Sequence, residues 1–79
     1  MKKTEIIKLF EELCARLSII VKYDRFFGKG GYCRLRERSF FIINEMLSNP
    51  TKEEIFIKEL KQLNPDPDLI PPKLKDFLK

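Results

Sequence analysis

Histidine is absent from this 79-residue chain, and that omission removes two chemistries at once. A nucleophilic cysteine usually takes its base from an imidazole, so neither Cys14 nor Cys33 has the customary group to activate it. Zinc sites that use histidine are excluded as well, and two cysteines cannot complete a four-ligand structural site within one chain. No metal and no cofactor is expected, and both cysteines read as reduced, buried thiols. Long apolar runs are also missing. The longest, Phe40-Phe41-Ile42-Ile43, is far short of the roughly 18 residues a helix needs to cross a bilayer. Met1-Lys2-Lys3 opens like a signal peptide, but Glu5, Lys8, Glu11 and Glu12 interrupt the stretch that would have to be uncharged. The expectation is a cytoplasmic protein with no membrane partner.

Glycine is scarce, and its three copies fall in one segment, Gly28-Lys29-Gly30-Gly31. Phosphate-cradling loops lead into a helix N-terminus. This one leads into a strand, matches neither standard nucleotide fingerprint, and has no following Ser or Thr for a metal; it reads as a connector. Carboxylates suited to acid–base work are lacking too. Glu53, Glu54 and Glu59 are interspersed with Lys52, Lys58 and Lys61, the pattern of a salt-bridged solvent face. Glu11 and Glu12 point in different directions. No enzyme is expected.

What is present is enough for one small domain. Hydrophobic residues make up 43% of the chain and include seven Phe, which argues against disorder. Ile6, Phe10, Leu13, Cys14 and Leu17 follow helical spacing, so a helix is expected from Thr4, its N-cap, to Leu17, with Lys8 and Glu12 paired on the solvent side. The β-branched run Ile19–Tyr23 reads as a strand, and Asp24–Gly31 as a loop. A second strand, Tyr32–Arg36, places Cys33 and Leu35 on one face and Arg34 and Arg36 on the other. The next strand, Phe40–Asn44, is apolar at almost every position, which calls for burial on both faces or a central place in the sheet. The short link between these two strands demands an antiparallel hairpin. Thr51 with Glu54 forms a capping box that starts a second helix, and Asn64-Pro65 ends it. Pro71-Pro72 introduces a short final helix anchored by Leu74, Phe77 and Leu78.

Charge is unevenly spread. Residues 22–38 hold Lys22, Arg25, Lys29, Arg34, Arg36 and Arg38 against Asp24 and Glu37, a surplus equal to the net +4 of the whole chain. Tyr23, Phe26, Phe27 and Tyr32 are interleaved with them. Such a mixture suits single-stranded nucleic acid, with bases stacked on rings and cations on phosphates. It suits equally an acidic protein surface or an anion. It is also what a plain solvated hairpin face looks like.

Gly30-Gly31-Tyr32-Cys33-Arg34, the apolar strand ending at Asn44, the helix after it and Leu69-Ile70-Pro71-Pro72 together resemble a group of small bacterial proteins without an assigned activity. That resemblance covers about residues 28–79 and implies a fold only. The element order also resembles the core of the HExxH metalloproteases that cleave phage-type repressors. Their second helix carries His-Glu-Leu-Gly-His where this chain has Lys58-Glu59-Leu60-Lys61-Gln62. Only Glu59 and Leu60 match and both zinc ligands are missing, so the resemblance implies a non-catalytic version of that scaffold and none of its site residues carries over.

The expected fold is α+β: an N-terminal helix, a three-stranded, mainly antiparallel sheet with a hairpin, a second helix and a short C-terminal helix. The expected core is Ile6, Phe10, Leu13, Leu17, Ile19, Val21, Leu35, Phe41, Ile43, Phe56, Leu60 and Leu63. Phe40, Phe41, Phe26 and Phe27 exceed what so small a core absorbs, and an exposed one would mark an interface. The expected function is a non-enzymatic interaction module that binds a protein partner or a second copy of itself as a homodimer. The alternative is weak binding of single-stranded DNA or RNA by Lys22, Arg25, Lys29, Arg34, Arg36 and Arg38.

Overall fold

Thr4 sets the start of the chain's first helix. In the computed structural model, which describes residues 3–26 and 28–78, its hydroxyl accepts the Ile7 N–H at 3.2 Å and α1 runs Glu5–Arg16. Glu12 pairs with Arg16 at 2.9 Å rather than with Lys8. The helix stops where Ser18 turns left-handed, with φ +60°. Three strands follow: β1 Ile19–Asp24, β2 Gly30–Leu35 and β3 Arg38–Asn44.

Their order in the sheet is β1-β3-β2. β2 and β3 form the antiparallel hairpin, but β1 lies parallel to β3, so the sheet is mixed where a mainly antiparallel one was expected. The apolar β3 explains the arrangement, because it needs a neighbour on each edge. Residues 25–29 carry the chain from β1 across the end of β3 to the far edge, and Arg36-Glu37 turns it back into the centre. Asn44 fastens that crossing. Its side-chain amide donates to the Phe26 and Gly28 carbonyls at 2.9 and 2.8 Å, and its Oδ1 accepts the Met46 N–H at 3.0 Å. Buried and fully engaged, Asn44 acts as a latch for the loop.

The second helix, α2, spans Asn49–Leu63, beginning two residues before the expected capping box. Ser48 is the N-cap and accepts the Thr51 N–H, while Pro50 sits inside the first turn, where a missing N–H costs nothing. Asn64 closes the helix in a left-handed conformation, φ +50°. The core lies between α1, α2 and one face of the sheet. Phe56 is its centre, stacked on Phe10 at 5.3 Å and tilted against Phe41 at 5.4 Å. Ile7, Ile55 and Leu74 join it, while Ile6, Leu17 and Val21 pack around its margin.

Three further expectations fail. Leu35 is 64% exposed and Leu63 36%, so neither belongs to the core. The C-terminal segment forms only two 3₁₀ turns, Pro67–Leu69 and Pro72–Leu74, because it is too short to sustain a helix by itself. Lys52, assigned to a solvent face, is buried. Among the described residues no helix is long and apolar enough to cross a membrane.

Candidate interaction face

Strand alternation places the rest of the sheet. Val21, Phe41 and Tyr32 share one row across the three strands. Phe41 is buried against Phe56, and the Tyr32 ring meets Phe41 edge-on at 5.8 Å, so this row faces the helices. The adjacent row, Ile20, Phe40 and Cys33, therefore faces away, and so do Ile42 and the Leu35–Arg38 pair. Ile20 is 40% exposed; Phe40, Ile42 and Cys33 are half-buried. None of Ile20, Leu35, Phe40 and Ile42 belongs to the core or packs against it. Both helices lie on the opposite face. The result is an apolar sheet surface that no described helix covers.

Cations flank this surface. Lys22 extends across it with Nζ 5.4 Å from the centroid of the Phe40 ring, and Arg38 stands opposite Leu35. The other four basic residues are dispersed. Arg34 pairs with Ser39 on the helix side of the sheet, which places it opposite to Arg38. Arg36 occupies the hairpin turn in a left-handed conformation, φ +57°. Arg25 and Lys29 lie in the crossing loop at the far end of the strands, Arg25 facing Glu45 at 3.9 Å. The fold thus brings Lys22 and Arg38 to one face and separates the remaining four. Of the interleaved aromatics, Tyr23 and Tyr32 turn toward the helices, Phe26 is exposed in the loop, and Phe27 lies outside the described residues. The ring on the open face is Phe40, signalled in the sequence only by the surplus of Phe.

The two thiols differ. Cys33 is half-buried on the open face, whereas Cys14 is fully buried in the core. Burial, assisted by the nearby Glu11 charge, pushes the Cys14 thiol up to about 12. Burial also raises Tyr23, and its hydroxyl donates to Glu11 at 2.5 Å. Lys58 and Glu59, the positions singled out by the metalloprotease resemblance, line a shallow cleft of about 150 Å³ with Lys29, Gly30, Thr51, Glu54 and Ile55. Among the described residues no three His, Cys, Asp or Glu side chains cluster to hold a metal ion. No protein-family model, curated protein or solved structure matches the chain.

Proposed function

We propose that this protein is a non-enzymatic interaction module whose docking surface is the open face of its sheet. The observation that carries the reading is the apolar row Ile20–Phe40–Cys33 with Ile42 and Leu35 beside it, left uncovered by either helix. Uncovered apolar surface on a small domain marks a site of contact. Lys22 and Arg38 favour one kind of occupant. Against Asp24, which alternation puts on the same side of β1, they leave the face net cationic, so two copies pressed together would set like charges against each other, whereas a protein segment with an apolar stripe and acidic flanks complements both features. The partner we infer is such an acidic amphipathic segment.

The test is an amide-shift titration of the isotopically labelled chain with a designed peptide that carries Leu at helical spacing and Glu elsewhere. A matched peptide with Lys in place of Glu serves as the control. Shifts confined to residues 20–22, 33–35 and 38–42, seen with the Glu peptide and suppressed by Leu35→Glu, support the reading. Equal response to both peptides, or to neither, refutes it. Concentration-dependent sedimentation that Ile20→Glu abolishes would replace the partner with a second copy of the chain. Salt-sensitive binding of a labelled single-stranded oligonucleotide, lost on substitution of Lys22 and Arg38, would replace it with nucleic acid.

A further inference from the structure

Lys52 is the one charged residue, among those described, that the fold buries; only 7% of it remains exposed. It lies in the first turn of α2, where the helix dipole is already positive and no acidic residue offsets it. Among the described residues no buried side-chain nitrogen lacks a hydrogen-bond partner, so the packed part of Lys52 is its stem and its amine opens into the cleft beside it. The ion pairs among the described residues join Lys3 to Glu11, Arg16 to Glu12, Arg25 to Glu45 and Lys73 to Glu5, and leave Lys52 out.

What surrounds the amine is an aromatic ring and a cavity. The Lys52 Nζ is 5.5 Å from the centroid of Tyr23, and the Lys3 Nζ is 4.9 Å from the same centroid. With Ile7 and Glu45 these residues line a cleft of about 120 Å³, room for about four waters at ~30 Å³ each. The nearby carboxylates already have partners. Glu11 accepts the Tyr23 hydroxyl and holds Lys3 at 2.8 Å, and Glu45 faces Arg25. Two ammonium groups, a polarised ring and a helix start thus converge on one small cavity; Lys52 makes no ion pair there, although Glu45, facing Arg25, forms part of the same wall.

We propose that this cleft binds a small oxyanion, a phosphate or carboxylate group, held chiefly by Lys52 with help from Lys3. Charge-assisted hydrogen bonds from the two amines supply the attraction, and Ile7 closes the apolar side and limits the ligand's size. The site is separate from the open sheet face, so the two proposals stand or fall independently.

The experiment is a titration of the labelled full chain with inorganic phosphate and, in parallel, with acetate, the ionic strength being held constant with chloride. Saturable amide shifts at Tyr23 and at the start of α2 are expected. Saturation by phosphate alone identifies a phosphoryl ligand, and saturation by both identifies a carboxylate-tolerant site. Lys52→Gln should weaken the interaction at least about tenfold, while Lys8→Gln, on the exposed side of α1, should leave it unchanged. Glu45→Gln should tighten it by removing a negative wall, and because Glu45 is exposed this variant tests the site without disturbing the core. Linear, unsaturated drift that is the same in Lys52→Gln would overturn the proposal. So would weaker binding in Glu45→Gln, which would show that Glu45 belongs to the site's own ion pairing.

Discussion

Gly28 and Gly30 offer a controlled measurement of how closely the crossing loop is fitted to the sheet. Their φ angles are nearly equal, +106° and +103°. Their surroundings are not: a β-carbon added at Gly28 meets nothing within 4 Å, whereas one at Gly30 would stand 1.9 Å from the Ile42 carbonyl oxygen. Alanine at such a φ costs about 1–3 kcal/mol in strain, and loss of unfolded-state freedom returns about 0.4–1 kcal/mol. Both terms are common to the two sites and cancel in the comparison. The remainder is steric. A carbon and a carbonyl oxygen settle at about 3.3 Å or more, so Gly30→Ala must push the start of β2 away from β3 by over an ångström. That loosens two or so ladder hydrogen bonds worth about 1 kcal/mol each and the packing around them. We expect Gly30→Ala to be less stable than Gly28→Ala by about 3 kcal/mol, a large part of the ~4–12 kcal/mol typical of a chain this size. Urea unfolding followed by far-ultraviolet circular dichroism measures it, with midpoints compared at equal slope. If the two variants fall within about 1 kcal/mol of each other, the close approach of Gly30 to β3 is wrong.

Asn44→Ala removes the amide that holds the Phe26 and Gly28 carbonyls and should cost about 2–3 kcal/mol. It should also speed amide exchange in residues 25–29, and unchanged exchange there would show that Asn44 does not hold the loop. A thiol reagent should modify Cys33 promptly and Cys14 only as fast as the protein opens; equal rates would contradict the burial of Cys14. Because the Cys14 thiol ionises later when folded than when unfolded, its contribution to stability is intact below about pH 9 and is lost as pH rises toward about 12. The alkaline limb should therefore steepen above pH 9 by up to about 1.4 kcal/mol per unit, and Cys14→Ala should flatten it. An unaltered limb in that variant would exclude Cys14 as the titrating group. Leu35→Lys should change stability by no more than about 0.5 kcal/mol, whereas Phe56→Ala should cost about 3–5 kcal/mol. A large loss in Leu35→Lys would return that residue to the core.

Local signals were legible in the chain and pairing partners were not. Thr4 capping α1, Asn64-Pro65 closing α2 and the short turn of the β2–β3 hairpin each depend on a few neighbouring residues. The apolar run Phe40–Ile43 within β3 also declared its central place. Its second neighbour did not follow, because the choice between β1 and β2 as partners is made across 20 residues of chain by what fits β3 on each edge. Leu35 was misplaced for a related reason. β2 has two half-apolar faces, Tyr32 with Arg34 and Cys33 with Leu35, and only the contact between Tyr32 and Phe41 shows which one turns inward. Lys52 followed the rule that charge lies outside, and no local pattern marks the exception. The open face was visible only as an excess of Phe. That Phe40 points outward while Phe41 points inward depends on the register, which composition does not carry.

The strand order has one more consequence. β1 and β2 never touch, so every ladder hydrogen bond in the sheet has one end on β3. Either edge strand can detach and leave the other pair intact, but β3 cannot leave without dissolving the sheet. Openings that expose β1 or β2 are therefore partial events, while those that expose β3 amount to global unfolding. The sheet's resistance to hydrogen exchange should rise toward its middle, which makes the protection of β3 a direct reading of the stability of the whole domain.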